Sequence, residues 1–157
     1  MLSLGAGGGA ETGVCGVGGP VGLSFVVCPL STDRRFMASF RRFEDIEAWQ
    51  VARRLNQKIW ALVSTGAFGR DFALSDQINR AAGSAMDNIA EGFDSGTDAE
   101  FARFLRYSQR SCAEVKSQLY RARDREHVTS DDVAEISALI EEVSRKVGSL
   151  IRFLSRS

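Results

Sequence analysis

The segment Gln77–Gly92 reads Gln-Ile-Asn-Arg-Ala-Ala-Gly-Ser-Ala-Met-Asp-Asn-Ile-Ala-Glu-Gly. At about 100° per residue, as in an α-helix, four of its polar side chains fall within roughly 60° of one another. An apolar face runs beside them. This pattern predicts a helix that packs on two sides, against its own core and against a partner helix, a partner subunit or a ligand. The polar stripe consists of Gln77, Ser84, Asn88 and Glu91, and the apolar face of Ile78, Ala82, Ala85, Ile89 and Phe93.

The same helical periodicity predicts two amphipathic helices between residues 44 and 93. One covers about Glu44–Thr65 and ends at Gly66 and Gly69. The next covers about Phe72–Phe93, contains the quoted segment and terminates around Gly92 and Gly96. Glycine disfavours the helix interior, so we expect these glycines to mark the helix ends.

Two further helices follow. The third begins with Thr97-Asp-Ala-Glu100, in which Thr97 and Glu100 could form a capping box. A turn at Glu126–Thr129 precedes the fourth helix, which Thr129 or Ser130 would cap. Four helices of similar length with short connections predict an all-α fold, an antiparallel up-down-up-down four-helix bundle.

Composition agrees with an all-helical body. The two prolines, Pro20 and Pro29, both precede residue 30, so the later chain lacks the strongest helix breaker. Twenty basic residues balance twenty acidic ones. A uniformly basic nucleic-acid-binding protein normally has a surplus of positive charge, so the overall balance disfavours that class, although a local basic patch remains possible.

Residues 1–36 differ from the rest because they are rich in glycine and show no periodicity. Ordering such a segment costs much backbone entropy, so we predict a disordered N-terminal extension, with Met37 as the alternative start of a bundle domain over residues 37–157. The apolar run Val21–Leu30 is too short for a membrane span, and no basic residue precedes it. With three cysteines and no pairing framework, this predicts a cytoplasmic protein with no membrane partner.

Catalytic patterns are scarce in this chain. A di-iron bundle needs Glu-x-x-His motifs on two helices, whereas His127 is the single histidine. Asp124 and His127 are three residues apart, but two ligands at a helix end are weak support for a metal site. No glycine-rich phosphate loop precedes a helix. We therefore predict no catalytic residues, no metal, no cofactor and no enzymatic activity.

The third helix repeats the two-faced pattern of the second. Its polar side chains flank an apolar face and consist of Arg103, Tyr107, Ser111, Glu114 and Gln118. A solvated helix surface would more typically carry Glu and Lys, whereas Ser, Asn and Gln are mediocre helix formers. We interpret both stripes as contacts between helices or subunits, and plain solvation is the alternative.

Basic side chains cluster on the first and third helices. Arginine predominates, which suits bidentate phosphate contacts. Neighbouring acidic residues could instead neutralise these side chains, so a solvated face of ion pairs is the competing interpretation. The candidate nucleic-acid contacts are Arg53, Arg54, Lys58, Arg103, Arg106 and Arg110.

Several segments resemble one known family. They are Phe43-Glu-Asp-Ile-Glu-Ala-Trp-Gln, Leu74-Ser-Asp-Gln-Ile-Asn-Arg-Ala-Ala-Gly-Ser, Asn88-Ile-Ala-Glu-Gly-Phe and Glu100-Phe-Ala-Arg-Phe-Leu. The chain is similar from about Phe40 to Leu154 to the four-helix-bundle proteins encoded in intervening sequences of bacterial 23S rRNA genes. It also resembles the accessory variability determinant proteins of diversity-generating retroelements.

This resemblance implies a protomer that assembles into a ring-shaped homopentamer, with no established enzymatic activity and with binding to RNA or DNA. The matching positions are Gln77, Arg80, Ser84, Asn88, Glu91, Gly92, Ser111, Glu114 and Gln118. Two departures alter the implied contact surface. Asp94-Ser95-Gly96 replaces a basic residue that is frequent in the family, and Arg110 replaces a glycine.

Two hypotheses for function follow. The first is a non-enzymatic, oligomeric bundle that serves as an RNA- or nucleic-acid-associated accessory or scaffold factor. The alternative is a protein-interaction module that docks one partner protein and has no nucleic-acid role. A continuous basic belt would favour the first hypothesis, and arginines paired with carboxylates would favour the second.

Overall fold

The computed structural model describes residues 40–156. The predictions of a disordered extension and of a start at Met37 lie outside the described residues. The described chain contains a one-turn 3₁₀ helix at Phe43–Asp45, then α1 (Glu47–Val63), α2 (Gly66–Arg70), α3 (Phe72–Asp94), α4 (Asp98–Asp124) and α5 (Ser130–Leu154). The predicted all-α class is confirmed.

The four long helices pack side by side as a bundle. α1 packs against α3 and α5, and α4 packs against the same two helices, so α1 and α4 lie on one diagonal. Between α3 and α4, Gln77 is hydrogen-bonded to Arg121 and Ser84 to Ser111. Increasing residue numbers along α3 are therefore matched by decreasing residue numbers along α4. The three ion pairs that join α1 to α5 show the same reversal, and so do the contacts of Gln109 with Ser144 and of Lys116 with Glu141 between α4 and α5. Neighbouring helices are therefore antiparallel.

The core forms where the apolar faces of the helices meet. Of the apolar face expected around Gln77–Gly92, Ile78, Ala82, Ala85 and Ile89 are fully buried, and Phe93 is half-buried. Burying such side chains is the main stabilising term of the fold. None of the helices within residues 40–156 combines the length and apolar character that a membrane crossing requires.

Glycines act differently from the prediction at two places. α1 ends at Val63, and Gly66 and Gly69 lie within the additional short helix α2, which sequence analysis missed. Gly92 lies inside α3, where a Cβ atom would come within 2.7 Å of Phe104 Cβ. It therefore permits close approach of α4, whereas Gly96, with φ of 86°, follows the helix end as expected.

The predicted caps of α4 and α5 form to different extents. Thr97 accepts a hydrogen bond from the Glu100 backbone N–H, but the Glu100 carboxylate pairs with Arg103 at 2.6 Å. The predicted capping box is thus half formed. A complete capping box begins α5, where Thr129 accepts from the Asp132 N–H and the Asp132 carboxylate accepts from the Thr129 N–H.

Candidate interaction surface

The two predicted polar stripes meet in the middle of the α3–α4 contact. Ser111 Oγ donates to Ser84 Oγ at 3.1 Å, and Asn88 Nδ2 donates to Ser84 Oγ at 3.0 Å and to the Ser84 carbonyl at 2.7 Å. Ser111 is buried, whereas Ser84 and Asn88 are half-buried. Short hydroxyl and amide side chains thereby satisfy one another where the helices come close.

Farther along the same contact, Gln77, Arg80 and Glu114 of the stripes are exposed to solvent, whereas Gln118 is only 5% exposed. Gln118 donates from Nε2 to Glu114 Oε1 at 3.0 Å. Arg121 donates to Gln77 Oε1 at 3.2 Å, and Arg80 forms an ion pair with Asp76 on its own helix. A notch of about 280 Å³ lies between α3 and α4 here, lined by Gln77, Arg80, Ala81, Ser84 and Glu114.

A wider groove adjoins this notch, lies between α3 and α1, and shares Arg80 and Ser84 with it. Its volume is about 630 Å³, and Trp60, which is 61% exposed, lies at its edge. Exposed tryptophan is common where proteins bind partners, since the indole offers a large contact area. We call this feature the α1–α3 groove, lined by Asn56, Trp60, Asn79, Arg80, Gly83, Ser84, Asp87, Asn88 and Glu91.

The two remaining members of the second stripe, Arg103 and Tyr107, belong to a cluster on the outer side of α4. The Tyr107 ring makes an edge contact with Phe104 at 5.9 Å between centroids. The guanidinium of Arg110 lies over the Tyr107 ring, and that of Arg103 lies over Phe104. Such cation–π contacts hold the arginines against the rings and leave both guanidinium groups exposed.

The six candidate nucleic-acid contacts divide into paired and unpaired groups. Arg54 pairs with Glu142 at 3.2 Å and Lys58 with Glu135 at 2.6 Å, both across to α5. Arg103 pairs with Glu100. Within residues 40–156, the other three form no ion pair, and one of them, Arg53, lies over the Trp49 ring. These three are Arg53, Arg106 and Arg110.

Charge alternates around the bundle. α1 carries three basic and one acidic side chain, and α4 carries six basic and four acidic side chains. α3 carries one basic and four acidic side chains, and α5 carries three basic and five acidic side chains. The two helices with a positive surplus lie on one diagonal, and the two with a negative surplus lie on the other. The candidate contacts on α1 and α4 therefore do not form a continuous basic belt on one protomer.

His127, considered above as a partner of Asp124, is placed elsewhere. Its Nε2 lies 3.1 Å from Asp71 Oδ2, and its ring stacks on Phe68 with 5.3 Å between centroids. Arg125 also donates to the Asp71 carboxylate, and this contact, more than that of His127, holds the Asp71 pKa below its usual range. Because Asp71 also caps α3, this cluster ties the α4–α5 turn to the start of α3.

Sequence analysis missed two features of this surface. Ser108 is fully buried and donates to the Ala85 carbonyl at 2.6 Å, and only its position one turn before Ser111 could have suggested this contact. The exposure of Trp60 was also missed, since an amphipathic pattern gives no reason to place an aromatic residue outside. Cys112 is fully buried in the core.

The fold and surface together define a class: an antiparallel four-helix bundle whose second and third long helices, α3 and α4, carry facing polar stripes. The family model of the 23S rRNA-intervening sequence protein matches residues 44–149, and the chain belongs to that family. A comparison with curated proteins finds no match. The further likeness to accessory proteins of retroelements stays a prediction.

Proposed function

We propose that this protein is a non-enzymatic, self-assembling scaffold that holds a partner through the surface around α3. The observation that carries this proposal is the α1–α3 groove, which combines an exposed Trp60 with amide side chains next to the two polar stripes. An aromatic edge with several hydrogen-bonding groups is typical of protein contacts.

The placement of the most reactive side chains supports a non-enzymatic role. Burial raises the pKa of the Cys112 thiol to about 12, so the nucleophilic thiolate is scarce near neutral pH. His127 is engaged by Asp71 and stacked on Phe68. Both residues serve the packing of the bundle.

Because several basic residues are in ion pairs, a protein-binding surface is favoured and a broad nucleic-acid-binding surface is disfavoured. Half of the six candidate contacts are in ion pairs, and the basic helices α1 and α4 are diagonal. Binding along a nucleic-acid backbone depends on accessible positive charge that displaces counterions. A protomer with balanced charge has little such charge to offer on one face.

Nucleic-acid binding is a second candidate, favoured by the cluster on α4. Arginines and aromatic rings alternate there, and single-stranded nucleic acids bind where bases stack on rings beside cationic groups. This cluster would bind RNA locally, through Arg106, Tyr107 and Arg110.

Light scattering after size exclusion of the full chain tests both candidates. A scaffold gives a defined multiple of the chain mass. A monomer at every protein concentration would refute self-assembly. Adding a short single-stranded RNA at low and high salt then tests the second candidate. Binding that weakens steeply with salt supports phosphate contacts, and a flat response removes them.

A further inference from the structure

The floor of the α1–α3 groove is open because of one glycine. A Cβ atom at Gly83 would meet only Asp87 Oδ2, at 3.9 Å. Gly83 therefore does not serve contacts within the protomer, unlike Gly92, and a glycine inside an exposed helix weakens that helix. Its effect is to leave the outer side of α3 bare at the middle of the groove, where another backbone can approach.

The length of the groove suits a helix. Asn79 and Glu91, both in its lining, are separated along α3 by about 18 Å at 1.5 Å per residue. The segment from Arg103 to Arg110 covers about two helical turns, or roughly 10 Å. A helix laid along the groove can thus place two turns of side chains inside it.

The groove carries uncompensated negative charge. Asp87 and Glu91 are exposed, and neither forms an ion pair with any residue between 40 and 156. The one cation in the lining, Arg80, already pairs with Asp76. An anionic partner would be repelled here, and a helix that carries arginine would be attracted.

This chain itself displays such a helix. The outer side of α4 presents Arg106 and Arg110, both exposed and without an ion pair inside the described part of the chain. The Tyr107 ring already restricts the Arg110 side chain, so Arg110 loses less conformational entropy when it binds a partner. The unpaired charges on α4 and in the groove are thus opposite in sign.

We infer that the α1–α3 groove of one copy receives the outer side of α4 of the next copy. This inference rests on the self-assembly proposed above, names its two surfaces, and makes the next copy of the chain the partner that the groove holds. The arginines of α4 face Asp87 and Glu91, and the backbone of the incoming helix comes close at Gly83. Trp60 covers the edge of the contact.

The contact joins two different surfaces, so it is heterologous. Pairing of groove with groove would bring like charges together, as would pairing of α4 with α4. A heterologous contact leaves one free groove and one free α4 face in every dimer. The copies therefore add head to tail until the ring closes, or continue as a fibre.

Complementary blocked variants of the full chain test this inference. Gly83→Leu fills the groove but leaves α4 intact, and Arg106→Glu/Arg110→Glu reverses α4 but leaves the groove intact. Each variant alone is expected to be monomeric. The dissociation constant of the contact between copies should rise at least about tenfold, which corresponds to a binding free energy weaker by about 1.4 kcal/mol. An equimolar mixture retains one intact groove and one intact α4 face. It is expected to stop at a one-to-one dimer, read by light scattering.

Two controls keep the result interpretable. Arg123 lies over Tyr120 at 5.7 Å, nearly as Arg110 lies over Tyr107, so Arg123→Glu is the control for Arg110→Glu taken alone and should assemble as wild type. At a protein concentration low enough for the wild type to be monomeric as well, the Tm of Gly83→Leu should match or exceed that of the wild type, since Leu favours helix more than Gly.

The outcomes separate the two proposals. Gly83→Leu that assembles as wild type, or a mixture that stays monomeric, overturns the inference and leaves self-assembly intact. A mixture that grows beyond the dimer also overturns it, since two blocked surfaces cannot extend a head-to-tail chain. A wild-type protein that is itself monomeric overturns the scaffold proposal and this inference with it.

Discussion

The close approach of α3 and α4 at Gly92 makes a quantitative prediction for Gly92→Ala. The added methyl would lie 2.7 Å from Phe104 Cβ and 2.8 Å from Phe101 Cδ2, and Phe101 is fully buried. Neither contact is the far end of a flexible side chain, so the helices must separate by several tenths of an ångström. Overpacking of this kind costs about 1–3 kcal/mol.

The gain in helix propensity offsets part of that cost. Replacing Gly by Ala in a helix interior contributes about 0.8–1.0 kcal/mol. We therefore expect Gly92→Ala to lower the free energy of unfolding by about 0–2 kcal/mol. For a domain of this size, that corresponds to a Tm lower by up to about 10 °C.

Urea unfolding followed by circular dichroism, at one fixed protein concentration, measures this difference. Gly148→Ala is the matched control because Gly148 lies inside α5, and a Cβ there would meet only side-chain nitrogens at 3.6 and 3.7 Å. The control should gain about 0.5–1 kcal/mol. If Gly92→Ala proves as stable as Gly148→Ala, the argument from close approach is wrong.

Three other predictions concern the ends and the core of the bundle. Since the contact with Arg125 depresses the folded-state pKa of Asp71, its stabilising contribution is present above the unfolded-state pKa and is lost as the pH falls below about 4. The stability gap between wild type and Asp71→Asn, from urea titrations at pH 7 and pH 3, should therefore narrow at pH 3. An unchanged gap would contradict the pairing. Thr129→Ala removes the hydroxyl from the capping box with Asp132 and should cost about 1 kcal/mol, measured by thermal unfolding, and no loss would mean that the cap is dispensable. Cys112 should react with iodoacetamide at pH 8 only when urea unfolds the chain, so rapid labelling of native protein by mass spectrometry would refute its burial.

The sequence predicts the architecture well because helix packing depends on a repeated apolar face. Ile78, Ala82, Ala85 and Ile89 recur at helical spacing, and all four are buried. The short connections then leave few ways to arrange four helices other than as antiparallel neighbours. Membership of the 23S rRNA-intervening sequence protein family was also predicted from the sequence, and the family model confirms it.

Details that depend on competition between neighbouring groups were harder to predict. Thr97 and Thr129 are each followed three residues later by an acidic residue. Glu100 forms an ion pair with Arg103 and does not complete the capping box at Thr97. Gly92 and Gly96 look alike in the sequence, yet only the structure shows that Phe101 and Phe104 occupy the space beside Gly92. These outcomes follow from three-dimensional neighbours and not from spacing.

The polar stripes illustrate an intermediate case. Periodicity indicates that Ser84 and Ser111 lie at the border of an apolar face, and the structure brings them together at 3.1 Å. Their assignment to contacts between helices or between subunits stays a prediction for the exposed members, such as Gln77 and Glu91. The depth of the α1–α3 groove depends on the distance between two helices, which a single helical pattern does not contain.

The alternation of charge among the helices has a consequence for how the chain finds its fold. Four helices can be arranged around a bundle in three cyclic orders, and only one of them places α1 opposite α4 and α3 opposite α5. In that order every helix has two neighbours of opposite surplus charge, whereas each of the other orders brings both like-charged pairs side by side. The charges on the helices thus favour the observed order over the other two. Because salt screens these charges, this preference should weaken at high ionic strength.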